Sequence, residues 1–162
     1  MTAHPTVAMA RDARPIARAR GEFPYQQTLA TRWRDNDQYG HLNNVVYYEL
    51  FDSVVNGFLA RRCAFDCAAS AVLGLVVESS CRYFSPLSFP APVVAGLGIA
   101  RLGNTSISYS CAVFSADGDL ACAQGLFTHV YVDRSTRRPR KLPRLLREEA
   151  ERLMQQRSPQ PC

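Results

Sequence analysis

The chain has 162 residues, 47% of them hydrophobic, and a formal net charge of +5. That is the size of one domain with enough apolar content for a real core, which excludes a globally disordered chain. No apolar run approaches the roughly 20 residues of a membrane span, which argues against an integral helical membrane protein.

The charge is unevenly spread. Six Arg face nine Asp or Glu between Phe23 and Asp133, whereas Arg11, Arg14, Arg18 and Arg20 precede that stretch and nine Arg or Lys follow it from Arg134 to Arg157. A nucleic-acid-binding domain tends to carry its positive charge on the folded face. Basic tails around a slightly acidic core fit solvation, or attraction of a polyanionic small molecule such as a phosphorylated cofactor arm, better than nucleic acid.

Residues 1–22 are read as a disordered basic extension, because Pro5 and Pro15 interrupt any long amphipathic helix there. No apolar stretch of signal-peptide type stands among them, and a cytoplasmic location is the expectation. From Tyr25 to Arg34 apolar and polar residues alternate (Tyr25, Gln27, Leu29, Thr31 and Trp33 against a more polar face), which predicts a half-buried strand. Val45 to Arg62 then carries Val45, Tyr48, Phe51, Val55, Phe58 and Leu59 at helical spacing. Asn43 or Asn44 can cap this helix, since a short polar side chain accepts from a free N–H of the first turn.

After a loop from Arg62 to Ser70, four strands are expected: Gly74–Phe84, Val93–Leu102, Ser106–Ser115 and Leu120–Val132. Gly103-Asn104 and Asp117-Gly118 are hairpin signals between the last three. A basic helix from about Arg144 to Gln156 closes the chain. The expected layout is thus an extension at 1–22, a folded region at 23–133 and a basic segment with a short helix at 134–162. One helix cannot cover both faces of about five antiparallel strands, so an α+β fold with the sheet wrapped around the helix, and edge strands left to pair with a second copy, is expected.

Six cysteines are present, at Cys63, Cys67, Cys81, Cys111, Cys122 and Cys162. They form no Cys-x-x-Cys pair and have no metal-ligand spacing, so they are read as reduced and structural, with no metal implied.

The densest chemistry lies between the first strand and the long helix, in Arg32-Trp33-Arg34-Asp35-Asn36-Asp37-Gln38-Tyr39-Gly40-His41-Leu42-Asn43-Asn44. Asp37 stands just ahead of a helix N-terminus, whose dipole and free N–H groups favour an ionised carboxylate. Such a carboxylate attacks a carbonyl or takes a proton from an attacking water, and N–H groups of the first helical turn receive the oxyanion. Gly40 permits close approach of substrate and backbone. With no obvious proton donor for a leaving group, a thioester suits the site best, because a thiol with a pKa of ~8.5 leaves unaided.

Asp37-Gln38-Tyr39-Gly40 followed by His41-Leu42-Asn43-Asn44 resembles the signature of the 4-hydroxybenzoyl-CoA thioesterase family of hotdog-fold proteins. Tyr47 and Tyr48 resemble its early helical aromatics, and Tyr83-Phe84-Ser85-Pro86 resembles the segment that ends its next strand. The resemblance implies a hotdog fold, a five-stranded antiparallel sheet around one long helix, in a homodimer or dimer of dimers. It implies an acyl-CoA thioesterase with Asp37 as the carboxylate, the N–H near Asn44 as the carbonyl-polarising donor, and Gly40 and His41 in the same turn. Asn104, Thr105 and Ser106 loosely match a region used for coenzyme A phosphates. Coenzyme A is part of the substrate, and no other cofactor is implied. Several relatives carry a His where Asn44 stands, and His41 is not a simple replacement for it.

Two other functions compete. A hotdog enoyl-CoA hydratase would use an Asp-x-Asn-Pro-x-His pattern, which is missing around His41. A non-catalytic acyl-CoA-binding module would bind without turnover. Asp35 is read as structural, pairing with Arg32 or Arg34. Glu49 is a reserve carboxylate, and His129, flanked by Phe127 and Tyr131, is read as a packed side chain.

Overall fold

The first strand, β1 (Tyr25–Leu29), is shorter than its alternation predicts. Its ladder to the fourth strand ends where Leu29 pairs with Val93, because the next residue on the partner is Pro92, which has no N–H to donate. The computed structural model describes residues 15–156. Past β1, the Thr31 hydroxyl bonds the Ala91 carbonyl at 3.0 Å and the chain turns through a 3₁₀ turn at Trp33–Asp35.

Helix α1 (Asn44–Arg62) buries Val46, Tyr47, Leu50, Phe51, Val54, Val55, Phe58 and Leu59. Val45, expected on the buried stripe, is 63% exposed instead. The apolar residues come in adjacent pairs such as Val45-Val46 and Tyr47-Tyr48, and spacing alone does not decide which member of a pair faces the core.

The remaining strands are β2 (Val72–Ser79), β3 (Arg82–Tyr83), β4 (Val93–Leu102), β5 (Ser106–Ser115) and β6 (Ala123–Asp133). They form one antiparallel sheet in the order β1-β4-β5-β6-β2, with β3 pairing to β6 beyond the end of β2. The sheet therefore has six strands rather than five, because the expected Gly74–Phe84 strand is broken at Ser80–Cys81. The cause lies on the neighbouring strand. A Cβ at Gly125 of β6 would run into the Ser80 carbonyl, so the edge strand crosses β6 at a residue without a side chain. There the Ser80 hydroxyl accepts the Leu126 N–H at 3.2 Å.

Helix α1 lies against β1, β4, β5 and β6, and Phe51, Val54 and Phe58 share one buried cluster with Leu97, Ile107 and Tyr109. This is the expected α+β hotdog arrangement. The helix does not cover β2, whose Leu75, Val76 and Val77 are 39%, 50% and 60% exposed.

Two flanking segments belong to the fold more closely than expected. Helix α2 (Arg144–Gln155) buries Leu146, Ala150 and Leu153 in the main core, so its packing does not stop at Asp133. Part of the supposed N-terminal extension also lies on the sheet. Ala19 bridges Leu120, the Arg18 guanidinium donates to Ser110 Oγ at 2.6 Å, and it stacks 4.5 Å above the Phe23 ring. Each such contact joins residues far apart in the chain, so no local pattern announces it. Arg11, Arg14, Arg157 and Cys162 lie outside the described residues. Among the described residues, no helix is long and apolar enough to cross a membrane.

Candidate active site

The turn after β1 is braced from behind. Asp35 is buried, and its carboxylate accepts from Arg32 N–H at 2.7 Å and from Arg32 Nε at 2.9 Å. The same guanidinium grips both oxygens of Glu49 on α1, at 2.7 and 2.8 Å. Asp35 is thus the structural carboxylate expected, and Glu49 is a paired charge rather than a second acid at the site. The pairing ties the turn to the helix by charge-assisted bonds.

Ahead of this brace the chain makes a small hairpin, with Asn36 bridged to Leu42. Asp37 N–H donates to the His41 carbonyl at 2.8 Å, and Gly40 N–H donates to the Asp37 carbonyl at 3.1 Å. Asp37 Oδ1 accepts from Tyr39 N–H at 2.8 Å and from His41 N–H at 3.3 Å. Gly40 takes φ +81°, and a Cβ there would meet nothing within 4 Å. Its requirement in this structure is therefore conformational, a left-handed residue closing the turn, rather than relief of crowding.

The helix then opens with Asn43 as its cap, Oδ1 accepting Val45 N–H at 3.2 Å, which settles the choice between Asn43 and Asn44. Asn44 is left with a distinct pair of tasks. Its carbonyl accepts the Tyr83 hydroxyl at 3.1 Å, fastening the helix start to β3. Among the described residues its N–H has no acceptor, and Asp37 Oδ2 likewise has no partner.

Both groups line one groove of about 440 Å³, together with His41, Leu42, Tyr47, Tyr83 and Phe84. Tyr47 and Tyr83 meet edge to face at 5.2 Å. Burial pushes the Tyr47 hydroxyl up to about 12 and the Tyr83 hydroxyl higher, so both stay protonated. The groove thus pairs an aromatic wall with a half-open carboxylate and a free helix N–H. Gly40 faces a second hollow behind the turn, with Trp33, Asn36 and Phe89. Sequence reasoning placed Tyr47 and Tyr83 in matching segments without assigning them to the site. The β3–β6 register that sets Tyr83 beside the helix depends on Gly125, far away in the chain.

The Asn104–Ser106 hairpin is not part of this groove. β1 pairs Leu29 with Val93 at the start of β4, whereas the hairpin follows Leu102 at its end. Ten residues of strand put the two about 30 Å apart within one chain. The hairpin instead holds the C-terminal segment and the end of β6: the carbonyls of Gly103 and Asn104 accept from Arg147 Nη2 and Leu142 N–H at 2.8 and 3.0 Å, and that of Thr105 from Tyr131 N–H at 2.7 Å. His129 is packed, as expected, 3% exposed among Tyr109, Phe127 and Tyr131, with neither ring nitrogen hydrogen-bonded. Among the described residues no cluster of His, Cys, Asp or Glu has the makings of a metal site.

A sheet wrapped on one helix, with a carboxylate-bearing turn at that helix's N-terminus, defines a hotdog protein with a polar site at the helix start. Residues 31–152 match the model of the Thioesterase-like superfamily, and the chain belongs to that superfamily. Among solved structures it is similar to the PA5185 protein of Pseudomonas aeruginosa PAO1, at 45% identity and a TM-score of 0.83, over 85% of this chain and 96% of that one. It is also similar to the PA2801 protein of Pseudomonas aeruginosa, at 25% identity and a TM-score of 0.72, over 78% and 98% of the two chains. The 1,4-dihydroxy-2-naphthoyl-CoA thioesterase Slr0204 of Synechocystis shares the fold at 14% identity and a TM-score of 0.72, over 80% and 96%. No curated protein sequence matches the chain.

Proposed function

We propose that the protein is an acyl-CoA thioesterase, hydrolysing its substrate to coenzyme A and a free carboxylic acid, in the manner of the 4-hydroxybenzoyl-CoA thioesterase family that it resembles. The observation that carries this reading is the pairing of an uncommitted Asp37 Oδ2 with an uncommitted Asn44 N–H along one aromatic-walled groove. Superfamily membership supports thioester hydrolysis as the chemistry.

The acyl group lies against Tyr47, Tyr83 and Phe84, and the thioester carbonyl takes the Asn44 N–H. Asp37 Oδ2 attacks that carbonyl or deprotonates a water that does. Negative charge developing on the oxygen meets the N–H at the positive end of α1. The thiolate then departs without a proton donor, as a thiol of pKa ~8.5 permits, and where Asp37 is the nucleophile a water then cleaves the Asp37–acyl anhydride to release the acid. His41 contributes its backbone N–H and carbonyl to the shape of the turn. Asn104, Thr105 and Ser106 reach the substrate only from another copy.

A homodimer, or a dimer of dimers, is the working unit in this reading. The free edge of β2, with Leu75–Val77 bare, is the surface that supports it.

The test is thiol release from short, long and aromatic acyl-CoAs, wild type beside Asp37→Asn. Asparagine keeps an oxygen for the Tyr39 and His41 N–H groups and removes the charge, so the turn survives. Cys67 is exposed, so a substrate-free control accompanies every thiol assay. Release that depends on Asp37 supports the reading. Tight acyl-CoA binding with no release turns it into a binding module, and loss of enoyl absorbance without thiol release turns it into a hydratase.

A further inference from the structure

The face of the sheet turned away from α1 carries a polar hollow that thioester hydrolysis at Asp37 does not use. Along β5, Ile107, Tyr109, Cys111 and Val113 join the helix cluster, whereas Ala112 and Phe114 pack with Phe23 on the opposite face. Ser110 shares that outer face and pairs with Leu126, while Ala112 pairs with Gln124, which pairs in turn with Arg82 of β3. Arg82, Ser110, Gln124 and Leu126 thus stand side by side, and with Arg18 and Ser80 they line a hollow of about 280 Å³. A water takes roughly 30 Å³ of the liquid, so an anion of several heavy atoms has room there. Tyr83, the next residue along β3, points the other way and walls the Asp37 groove.

The hydrogen-bonding groups of this hollow are unevenly committed. Its side-chain acceptors are occupied: Ser110 Oγ by Arg18 Nη1 at 2.6 Å, Ser80 Oγ by the Leu126 N–H at 3.2 Å, and Gln124 Oε1 by the Arg18 N–H at 2.9 Å. A hydroxyl that accepts from the protein still has its own proton to give, so Ser80 and Ser110 stand as donors. Arg18 also gives Nε to Glu22 at 2.9 Å, which offsets its charge. Arg82 is exposed, and among the described residues its guanidinium has no partner. No carboxylate lines the hollow. Free donors converging where the acceptors are used up suit an anion. Donors arriving from β3, from β5 and from the bend after β2 suit the tetrahedral oxygens of a phosphate better than the two coplanar oxygens of a carboxylate.

We propose that this hollow binds inorganic phosphate or a small phosphate monoester, at a site separate from the Asp37 groove. Arg82 takes two phosphate oxygens with its guanidinium fork, and the Ser80 and Ser110 hydroxyls donate to the others. The occupant ties β3, which two register pairs hold to β6, to β5 and to the segment of Arg18. It binds the folded chain alone and therefore stabilises it.

The experiment follows inorganic phosphate by phosphorus NMR as protein is added, at constant ionic strength set with sodium chloride. Arg82→Gln should weaken binding at least tenfold and leave the fold intact, since Arg82 has no partner to lose; Ser110→Ala should weaken it several fold. The melting temperature of wild type should climb with phosphate further than that of Arg82→Gln, the general salting effect being common to both. Coenzyme A separates the two sources of phosphate. Inorganic phosphate that stays bound in excess coenzyme A supports the separate site. Phosphate that coenzyme A displaces would make the hollow part of the substrate's own path and overturn the proposal. Equal binding by wild type and Arg82→Gln overturns it too, as does the lack of any binding by wild type, or displacement by acetate as readily as by sulfate.

Discussion

The turn at Asp37–Asn44 and the hairpin at Gly103–Ser106 are both short, polar and placed at an end of the sheet, yet they use their hydrogen-bonding groups in opposite ways. At the hairpin, three successive carbonyls are consumed by Arg147, Leu142 and Tyr131. At the Asp37 turn, one carboxylate oxygen is tied down by two N–H groups while the other stays open, and the N–H of Asn44 stays open beside the same groove. Open groups on a braced backbone are what a reaction needs, since their desolvation and orientation are settled before substrate arrives. Consumed groups build architecture. Composition alone does not separate the two.

The largest expected effect is at the open end. Asp37→Asn should lower thioester turnover by on the order of a thousandfold or more with little change in melting temperature, because the turn keeps its acceptor. A turnover loss of only a few fold would remove the contrast between the two turns. At the other end, Leu146→Ala should cost about 3 kcal/mol of stability, since Leu146 is fully buried where α2 meets the core. Chemical denaturation checks this. A shift below about 1 kcal/mol would mean that the C-terminal helix is an appendage after all.

Much of the element order was legible. Periodicity located α1 and α2 to within a residue or so at each end, and Gly103-Asn104 and Asp117-Gly118 marked their two hairpins correctly. Asp37, His41 and Asn44 do meet at one groove, as their spacing on a turn and helix start implied. What escaped was set by distant residues. Pro92 ends β1, Gly125 splits the edge strand, and Ser110 and Gln124 receive Arg18 from about ninety to a hundred positions earlier in the chain. A pattern read within a window of a few residues contains none of this. Asn104–Ser106 were matched to a phosphate region by local likeness, and only the sheet register puts them at the opposite end of the sheet from Asp37.

Between the two turns lies a buried histidine that gives the molecule a pH dependence of its own. Burial holds the His129 imidazole down to about 4, below its ordinary value near 6.5. The unfolded chain therefore binds a proton as pH falls below about 6.5, while the folded chain does not until about 4. Stability present above pH 6.5 is lost across that window, by about 3 kcal/mol in total. His129→Leu should flatten this acid slope in denaturation curves from pH 7 to 4. A slope unchanged by the substitution would assign the acid sensitivity to carboxylates elsewhere.

The smallest effects are the sharpest probe of the comparison, because they ask whether side chain or backbone does the work at each turn. Asn43→Ala removes the oxygen that caps Val45 N–H, and should cost about 1 kcal/mol. Asn104→Ala should cost almost nothing in stability, for the group that holds Leu142 is the Asn104 carbonyl, which alanine retains. Differential scanning of the two variants side by side reads the contrast directly. If Asn104→Ala were as destabilising as Asn43→Ala, the hairpin would be held by its side chain. The distinction between a turn whose side chains are committed to shape and reaction, and one that works through backbone carbonyls, would then fail.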